Sequence, residues 1–486
     1  MHAHTRWTKG GCALAAVLAV AGMAGCTPGP AYVRPTLSVP AQYKEALKPA
    51  QTKTPPPRGW LHAQPDDVDG GPWWKVFGDE TLDRLEARVT LDNQNIKQGL
   101  ADLQQAQAIV GVARSAYLPT LTAGADAASD HTSKDVIGRS LAGRTVQDYT
   151  AGVTASWEPD LFDRVGHAVD AAQARAQASA ADLASISLSM HAELALDYVD
   201  VRQLDAETGL LKQLVDNYVQ AKQLVQTQFD GGIAAESELQ QAETQLQVAK
   251  AQLIDVGEAR AQREHAIAVL MGVPPAGFTL APVQRALPLP AVPVGVPSML
   301  LERRPDIAAA ERRVAAANAD VGEATSAFFP DLVLSASGGV EASGFAQWAM
   351  LPSRFWAIGP ALVGTLFDGG RRHAELAAAQ ARQDAAAADY RQTVLSAFQE
   401  VEDKLASLHV LADESIAQQR AVDASSRAAK LAMIRYQDGA TDYLEVVSTQ
   451  SVNLAQTRAQ VELSRRRFAA DVGLIKAMGG AWTKAD

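Results

Sequence analysis

The chain has 486 residues, and its 55 acidic side chains outnumber its 44 Lys and Arg side chains, which gives a formal net charge of −11. Nucleic-acid binding depends on clustered Lys and Arg, so this balance gives no reason to expect a nucleic acid partner. Beyond residue 25, no apolar run approaches the roughly 18 residues that indicate a membrane-spanning helix. If this chain crosses a membrane, it has to do so with strands.

The first 25 residues predict a signal peptide for export. Arg6 and Lys9 precede an apolar run that ends at Val20, and a run of this length is too short to span a bilayer as a helix. The tripeptide MAG before Cys26 resembles a bacterial lipobox. Cys26 is therefore expected to become the lipid-modified N-terminus, and the alternative is an ordinary signal peptide followed by a chance cysteine.

Cys26 would be the only cysteine of the mature chain, since the other one, Cys12, lies in the signal peptide. This count excludes a disulfide framework and a cysteine-based metal site. We expect no cofactor apart from the covalent lipid on Cys26, and no metal. Thr27 stands where an Asp would favour retention in the inner membrane, so the outer membrane is the expected location.

The proline distribution marks two regions for long helices. No proline occurs in 160–273 or in 361–486, and both stretches are rich in Ala, Gln, Leu and Glu. Proline costs a helix interior about 3 kcal/mol, so helices are expected where it is missing. Glycine-bearing turns at 229–235 and 436–442 divide each region into a hairpin of two helices.

The helical arms are long and show a heptad pattern. The arm from Arg164 to Gln228 would extend about 98 Å at about 1.5 Å per residue. In the second hairpin, apolar residues recur every seven positions from Val447 to Ile475. Such spacing indicates coiled-coil packing against neighbouring helices.

The sequence contains an internal duplication. At an offset of 208, Leu239 falls on Val447 and the dipeptide DG at 230–231 falls on DG at 438–439. The tripeptide LFD at 161–163 falls on LFD at 366–368 at an offset of 205. A nearly constant offset with small loop differences indicates two copies of one structural unit.

Four segments alternate with a period of two and predict strands, two in each repeat. They lie at about 118–129, 148–158, 330–341 and 355–367. Each is close to the roughly 9–11 residues of a tilted membrane strand, but the smallest membrane barrels have about eight strands. Unless the strands form soluble hairpins, several chains have to share one barrel.

Three segments resemble the outer membrane factor family, the TolC/OprM-type exit ducts of tripartite efflux pumps. These are CTPGPAYVRPTLSVPAQY (26–43), PWWKVFGDETLDRLEARVTLDNQNIKQGLADLQQAQA (72–108) and LLERRPDIAAAERRVAAANADVGEATSAFFPDL (300–332). The resemblance covers nearly the whole mature chain. It implies a mixed, mainly α fold in which a homotrimer forms one transmembrane β-barrel, with four strands from each chain, that continues as a long α-helical barrel.

The same resemblance implies a domain organisation and a set of partners. We expect a signal peptide, a lipid-anchored Pro-rich segment, a first repeat, a Pro-rich linker and a second repeat, at residues 1–25, 26–75, 76–272, 273–300 and 301–486. The expected partners are a periplasmic adaptor (membrane fusion) protein, an inner-membrane RND-type pump and outer-membrane lipid.

The resemblance also assigns functions to the hairpin tips. The residues expected to contact the adaptor are Phe229, Asp230, Gly231, Gly232, Asp438 and Gly439. The residues expected at the periplasmic aperture are Asp442, Leu444, Glu445 and Ser448. Ser448 stands where the family pattern has a second acidic residue, so we expect a single acidic ring of Glu445, with Asp442 beside it.

The predicted function is a passive exit duct for small molecules. The alternatives are a duct for protein secretion and a non-conducting lipoprotein scaffold that bridges the periplasm. Enzyme activity is not expected, because the sequence has no phosphate-binding glycine loop, no HExxH motif and no nucleophile elbow.

Overall fold

The computed structural model describes seven segments of the chain. They are 28–45, 60–62, 72–135, 142–283, 292–294, 303–348 and 350–480. The predicted signal peptide and the predicted lipid anchor at Cys26 lie outside the described residues.

The described residues are mainly helical. The helices are α1 (Glu80–Asp92), α2 (Gln94–Ser115), α3 (Arg164–Asp230), α4 (Glu236–Leu270), α5 (Pro305–Ser326), α6 (Arg371–Gln437) and α7 (Tyr443–Ala477). Short 3-10 helices add one turn each, for example at Trp73–Phe77. Among these described helices, none is both long enough and apolar enough to cross a membrane.

Six strands form two sheets in the described part of the chain. They are β1 (Trp60–His62), β2 (Thr120–His131), β3 (Thr145–Trp157), β4 (Val292–Val294), β5 (Asp331–Ala342) and β6 (Arg354–Val363). Strands β1 and β4 form a short parallel pair. The other four form an antiparallel sheet in the order β2-β3-β5-β6, so β2 and β6 are its edges. Four long strands, two in each repeat, were predicted and are confirmed.

The internal duplication is visible as pairs of elements of equal length. Helices α2 and α5 both have 22 residues, α3 and α6 both have 67, and α4 and α7 both have 35. The offset is 211 for α2 and α5, which begin at Gln94 and Pro305. It is 207 for α3 and α6, which begin at Arg164 and Arg371.

The structure corrects the alignment of the hairpin tips by one residue. Gly232 and Gly439 both have a positive φ, 73° and 71°, and an offset of 207 pairs them. The offset of 208 expected from the sequence pairs Gly231 with Gly439 instead. The repeated dipeptide DG gave the wrong register because identical letters occupy different positions in the two turns.

The loops before α3 and α6 also occupy matching positions. Asp163 has a φ of 58° and Gly370 has a φ of 89°, and each directly precedes its long helix. The LFD tripeptides match at an offset of 205 and the helices at 207, so the second tripeptide lies two positions farther from its helix than the first. The loop after β6 is also one residue longer than the loop after β3. Asp163 therefore adopts a backbone conformation that the second repeat gives to glycine.

The chain divides into two compact units. The first comprises 1–35, 103–179 and 310–390, and the second comprises 36–102, 180–309 and 391–486. The first unit contains the four-stranded sheet, and in it the segment that follows residue 27 is held by hydrogen bonds. His167 Nε2 lies 3.0 Å from the carbonyl oxygen of Pro28, and Asn318 Nδ2 donates to the carbonyl oxygen of Pro30 at 3.0 Å.

The second unit has its main apolar core around the first turns of α1 and the middle of α3. Leu82, Leu194 and Ile267 are completely buried there. Asp79 begins α1 by accepting hydrogen bonds from the backbone N–H groups of Thr81 and Leu82 at 2.8 and 3.0 Å. Such a cap satisfies donors that have no partner within the helix.

Candidate functional site

Both hairpin tips lie in the second unit and have the same backbone turn. In the first tip, the N–H groups of Gly232 and Ile233 donate to the carbonyl oxygens of Phe229 and Gln228 at 2.9 and 2.8 Å. In the second, the N–H groups of Gly439 and Ala440 make the equivalent bonds at 3.0 and 2.8 Å. This pattern is the Schellman-type helix end, in which a glycine takes the left-handed conformation.

The residues predicted to contact a partner lie on the surface of the two turns. Phe229, Asp230, Gly231, Gly232, Asp438 and Gly439 are all exposed in the isolated chain. Ile233, which was not predicted, is 81% exposed at the first tip. Ala440 occupies the matching position of the second tip at the offset of 207, so the first tip presents the larger apolar surface.

A cluster of buried residues joins the two hairpins directly behind the tips. Its members are Val225, Ala242, Ala432, Tyr436, Tyr443 and Val446. The rings of Tyr436 and Tyr443 pack edge to face with centroids 5.2 Å apart. The hydroxyl of Tyr436 donates to Oε1 of Gln228 at 2.5 Å, so a hydrogen bond from the second repeat to the first accompanies the apolar contact.

The predicted aperture residues lie in the first turns of α7. Asp442 is the N-cap, and its Oδ1 accepts from the N–H of Glu445 at 3.1 Å. Leu444 and Ser448 are both exposed, and their spacing of four residues places them on the same face of the helix. Ser448 cannot add a carboxylate to this face, as the sequence predicted.

Glu445 has partners within its own hairpin. Its Oε1 lies 2.8 Å from Nη1 of Arg435, and its Oε2 accepts from the hydroxyl of Thr441. The ion pair is largely exposed, and such pairs contribute only about 0–1 kcal/mol to stability. The pair also places a positive guanidinium next to the carboxylate that was predicted for the acidic ring.

Sequence reasoning missed Arg435, Tyr436 and Gln228. Arg435 is ten residues from Glu445, a spacing that only the turn brings together. No helix periodicity relates Tyr436 to Tyr443 either, because Tyr436 lies in α6, Tyr443 lies in α7 and the turn separates them. No local signal identifies Gln228 as the partner of Tyr436, because that contact depends on how the two hairpins pack.

Within the described residues, no group of three or more His, Cys, Asp or Glu could hold a metal ion. One histidine does have an acidic neighbour. Nδ1 of His191 lies 2.6 Å from Oε2 of Glu86 in the core of the second unit. Glu86 belongs to α1 and His191 to α3, so no spacing within one helix relates them.

The family model described as outer membrane efflux protein matches residues 87–273 and 296–480. The chain is 34% identical over 424 residues to the pyoverdine export outer membrane protein OpmQ of Pseudomonas aeruginosa, covering 86% of this chain and 89% of the relative. It is 30% identical over 473 residues to outer membrane protein OprJ of the same species, covering 96% of each.

A solved structure of the outer-membrane channel OprN superimposes on this fold with a TM-score of 0.85. Sequence identity in that comparison is 30%, and the match covers 94% of this chain and 99% of OprN. Both halves of the chain are matched by the family model, and both contain a 22-residue helix, two long strands and a hairpin of two long helices. The chain belongs to the outer membrane efflux protein family.

Proposed function

We propose that this protein is the passive outer-membrane exit duct of a tripartite efflux system. It would export small molecules delivered by an inner-membrane RND-type pump through a periplasmic adaptor protein. The observation that carries the proposal is the family match over both repeats, together with the relative OpmQ, which is named as a pyoverdine export outer membrane protein.

The working form would be a homotrimer whose strands together form one barrel. Four strands do not close a barrel, because the smallest membrane barrels have about eight. In the described sheet, β2 and β6 each have one neighbour and one open edge. An open edge offers a row of unpaired N–H and C=O groups that a further strand can bind.

A covalent lipid on Cys26 would hold the chain at the outer membrane. The first described residue, Pro28, is already fixed to α3 through its carbonyl oxygen and His167. Gly29 lies close against Gly322, since a Cβ at Gly29 would come within 2.9 Å of Gly322 Cα. A lipid at Cys26 would thus be attached two residues from a well-packed segment of the first unit.

The tips would supply both the adaptor contact and the aperture. The exposed turns around Gly232 and Gly439 allow close backbone approach by a partner. In the trimer, the exposed faces with Leu444 and Glu445 would converge, and three copies of Glu445 would attract cations. Arg435 would weaken this ring by neutralising part of its charge.

The test is conductance of the purified protein in planar lipid bilayers. We expect ion-conducting trimers, and we expect Glu445→Gln combined with Asp442→Asn to increase conductance and to weaken block by multivalent cations. Asn preserves the helix cap of Asp442. Unchanged conductance and block would remove the carboxylate ring from the aperture.

The matched control is Glu238→Gln. Glu238 occupies the position of Glu445 in the first hairpin at the offset of 207, and it accepts from the backbone N–H of Ala235 at 3.3 Å. We expect this variant to conduct like the parent. A soluble monomer without conductance would overturn the duct itself and favour a scaffold.

A further inference from the structure

Two surfaces of the first unit expose large apolar side chains at opposite edges of the four-stranded sheet. In the loop between β6 and α6, Leu366 is 99% and Phe367 is 88% exposed. In the turn between α2 and β2, Leu118 is 69% exposed. Exposed apolar surface of this kind marks a contact with another molecule.

In the second repeat, the surface that corresponds to the turn after α2 lies at the end of α5. There it is covered by other residues of the same chain. At the end of α5, Gly322 lies under the imidazole of His167, and a Cβ at Gly322 would come within 2.6 Å of that ring. The hydroxyl of Ser326 donates to the carbonyl oxygen of Phe162 at 2.7 Å. The ring of Phe162 stacks on Phe329 with centroids 4.8 Å apart and an interplanar angle of 21°.

These contacts define a receiving site. It consists of a glycine, a serine one helical turn later and an apolar residue in the turn that follows, namely Gly322, Ser326 and Phe329. It binds the loop before α3 and the first turn of that helix. Gly322 and Ser326 are buried by the contact.

The residues of the first repeat that correspond to this site at the offset of 211 lie in α2 and in the turn after it. Its members are Gly111, Ser115 and Leu118, and all three are exposed. A Cβ at Gly111 would meet nothing within 4 Å. The first repeat therefore has a receiving site of the same kind. Among the described residues, none of the same chain covers it.

The segment that would fill this site is present in the second repeat. At the offset of 207, Gly369 corresponds to Phe162 and Ala374 to His167. The aromatic residue of the loop has moved two positions earlier, to Phe367. Phe367, Gly369 and Ala374 are all exposed at the far edge of the sheet, next to β6.

We propose that Gly111, Ser115 and Leu118 of one copy receive the loop before α6 and the first turn of α6 of a second copy. This inference rests on the proposed assembly and names its contact. Ala374 packs on Gly111, the hydroxyl of Ser115 donates to the carbonyl oxygen of Gly369, and Phe367 covers Leu118. The contact joins different surfaces of the two copies, and a contact of this kind forms a ring when the rotation from one copy to the next closes.

In the internal contact, the nearest atoms that a Cβ at Gly322 would meet all belong to the imidazole of His167. Ala374 takes the place of His167 in the proposed contact and has no ring, so a small side chain fits at position 111. The edge strands then meet as well, since β2 adjoins the receiving site and β6 adjoins the incoming loop. Burial of Phe367 and Leu118 removes from water the apolar surface that the single chain exposes, which favours association.

Cysteine cross-linking of the full-length lipoprotein in its outer membrane tests the contact. Gly111→Cys and Ala374→Cys are introduced singly and together, in a chain whose mature form has Cys26 as its only other cysteine. With a short thiosulfonate cross-linker, the double variant should lose its monomer band to dimers and larger species. Co-expressed single variants should give dimers, which shows that the cross-link joins two copies.

The control pair is Gly111→Cys with His373→Cys. The imidazole of His373 packs on Phe328 of its own chain, with ring centroids 5.0 Å apart, so a cysteine there points away from the next copy. We expect no cross-link from this pair. Both substitutions lie at surface positions of helices, which limits their effect on folding.

The inference is overturned if the Gly111–Ala374 pair stays monomeric, or if Gly111→Cys alone cross-links to another protein. Conductance of the same preparations separates this result from the proposed function. A conducting protein without the cross-link contradicts only the contact. A cross-linked protein that does not conduct supports the contact and contradicts the duct.

Discussion

Glu86 and His191 form a buried pair in the second unit. His191 stacks on Trp74 with ring centroids 4.5 Å apart, and Glu86 is completely buried. Burial, with a further contribution from Asp83, raises the pKa of Glu86 to about 9. Burial lowers the pKa of His191 to about 4. Both side chains are therefore neutral at pH 7, and their hydrogen bond joins α1 to α3 without an ion pair.

The two groups have opposite effects on stability as pH changes. The pKa of Glu86 is raised from 4.5 to about 9, so its stabilising effect is complete below pH 4.5 and is lost as pH rises towards 9. The pKa of His191 is lowered from 6.5 to about 4, so its effect is lost as pH falls from 6.5 towards 4. Above pH 6.5 only the loss from Glu86 remains.

We predict that Glu86→Gln removes this alkaline loss of stability. Between pH 6.5 and 9 the free energy of unfolding of the parent should fall relative to the variant by up to about 1.4 kcal/mol per pH unit. Denaturant unfolding at several pH values in detergent measures the difference. Glu80→Gln, an exposed change on the same helix, is the control, and parallel pH profiles for the parent and Glu86→Gln would refute the assignment.

At the scale of elements, the hairpin turns depend on one glycine each. Gly232 and Gly439 have positive φ values, whereas Gly231 does not, although all three were predicted as tip residues. For a residue with a Cβ, the left-handed conformation costs about 1–2 kcal/mol. The neighbouring glycines of the first tip are therefore not equivalent.

We predict that Gly232→Ala loosens the first tip and that Gly231→Ala does so much less. The strain of about 1–2 kcal/mol corresponds to roughly 5- to 30-fold faster hydrogen exchange at the amides of the turn. Mass spectrometry of peptides that cover Gln228–Ala235 would measure it. Equal exchange in the two variants would contradict the corrected register of the tips.

The helices and strands were largely predictable because their signals are local. Proline-free stretches rich in helix formers identified α3, α4, α6 and α7, and alternation identified the four long strands. The ends of the strands were predicted less accurately than the strands themselves. The last strand was predicted to continue to Phe367 because the apolar run does, but β6 ends at Val363. The run is longer than the strand because Leu366 and Phe367 are apolar without being paired in the sheet.

At the scale of the whole molecule, the two repeats are joined behind the tips by the contact of Tyr436 with Gln228. A hydrogen bond of this kind contributes about 0.5–1.5 kcal/mol. Opening an aperture by moving the second hairpin away from the first would have to break it. The contact would therefore favour the closed arrangement of the tips.

We predict that Tyr436→Phe raises the open fraction and the conductance of the channel in bilayers. Tyr443→Phe is a matched control, since within the described part of the chain the hydroxyl of Tyr443 has no hydrogen-bond partner, and its ring packs on Tyr436. We expect the control to conduct like the parent. An identical increase in both variants would attribute the effect to ring packing instead of the hydrogen bond.

The sequence by itself determined the long strands and the helical hairpins, because periodicity and proline placement act over short stretches of chain. It also determined the two repeats, because the second copy keeps recognisable residues of the first at a nearly constant offset. It also placed Asp442, Leu444, Glu445 and Ser448 in one helical segment. Only the tertiary structure decided the partners of these residues. Arg435 reaches Glu445 across a turn, and Gln228 reaches Tyr436 across two hairpins, and such distances in sequence leave no periodic signal. The same holds for the sites at Gly322 and Gly111. The glycine and the serine have the same spacing in both sites, but only the site at Gly322 is covered by residues of the same chain.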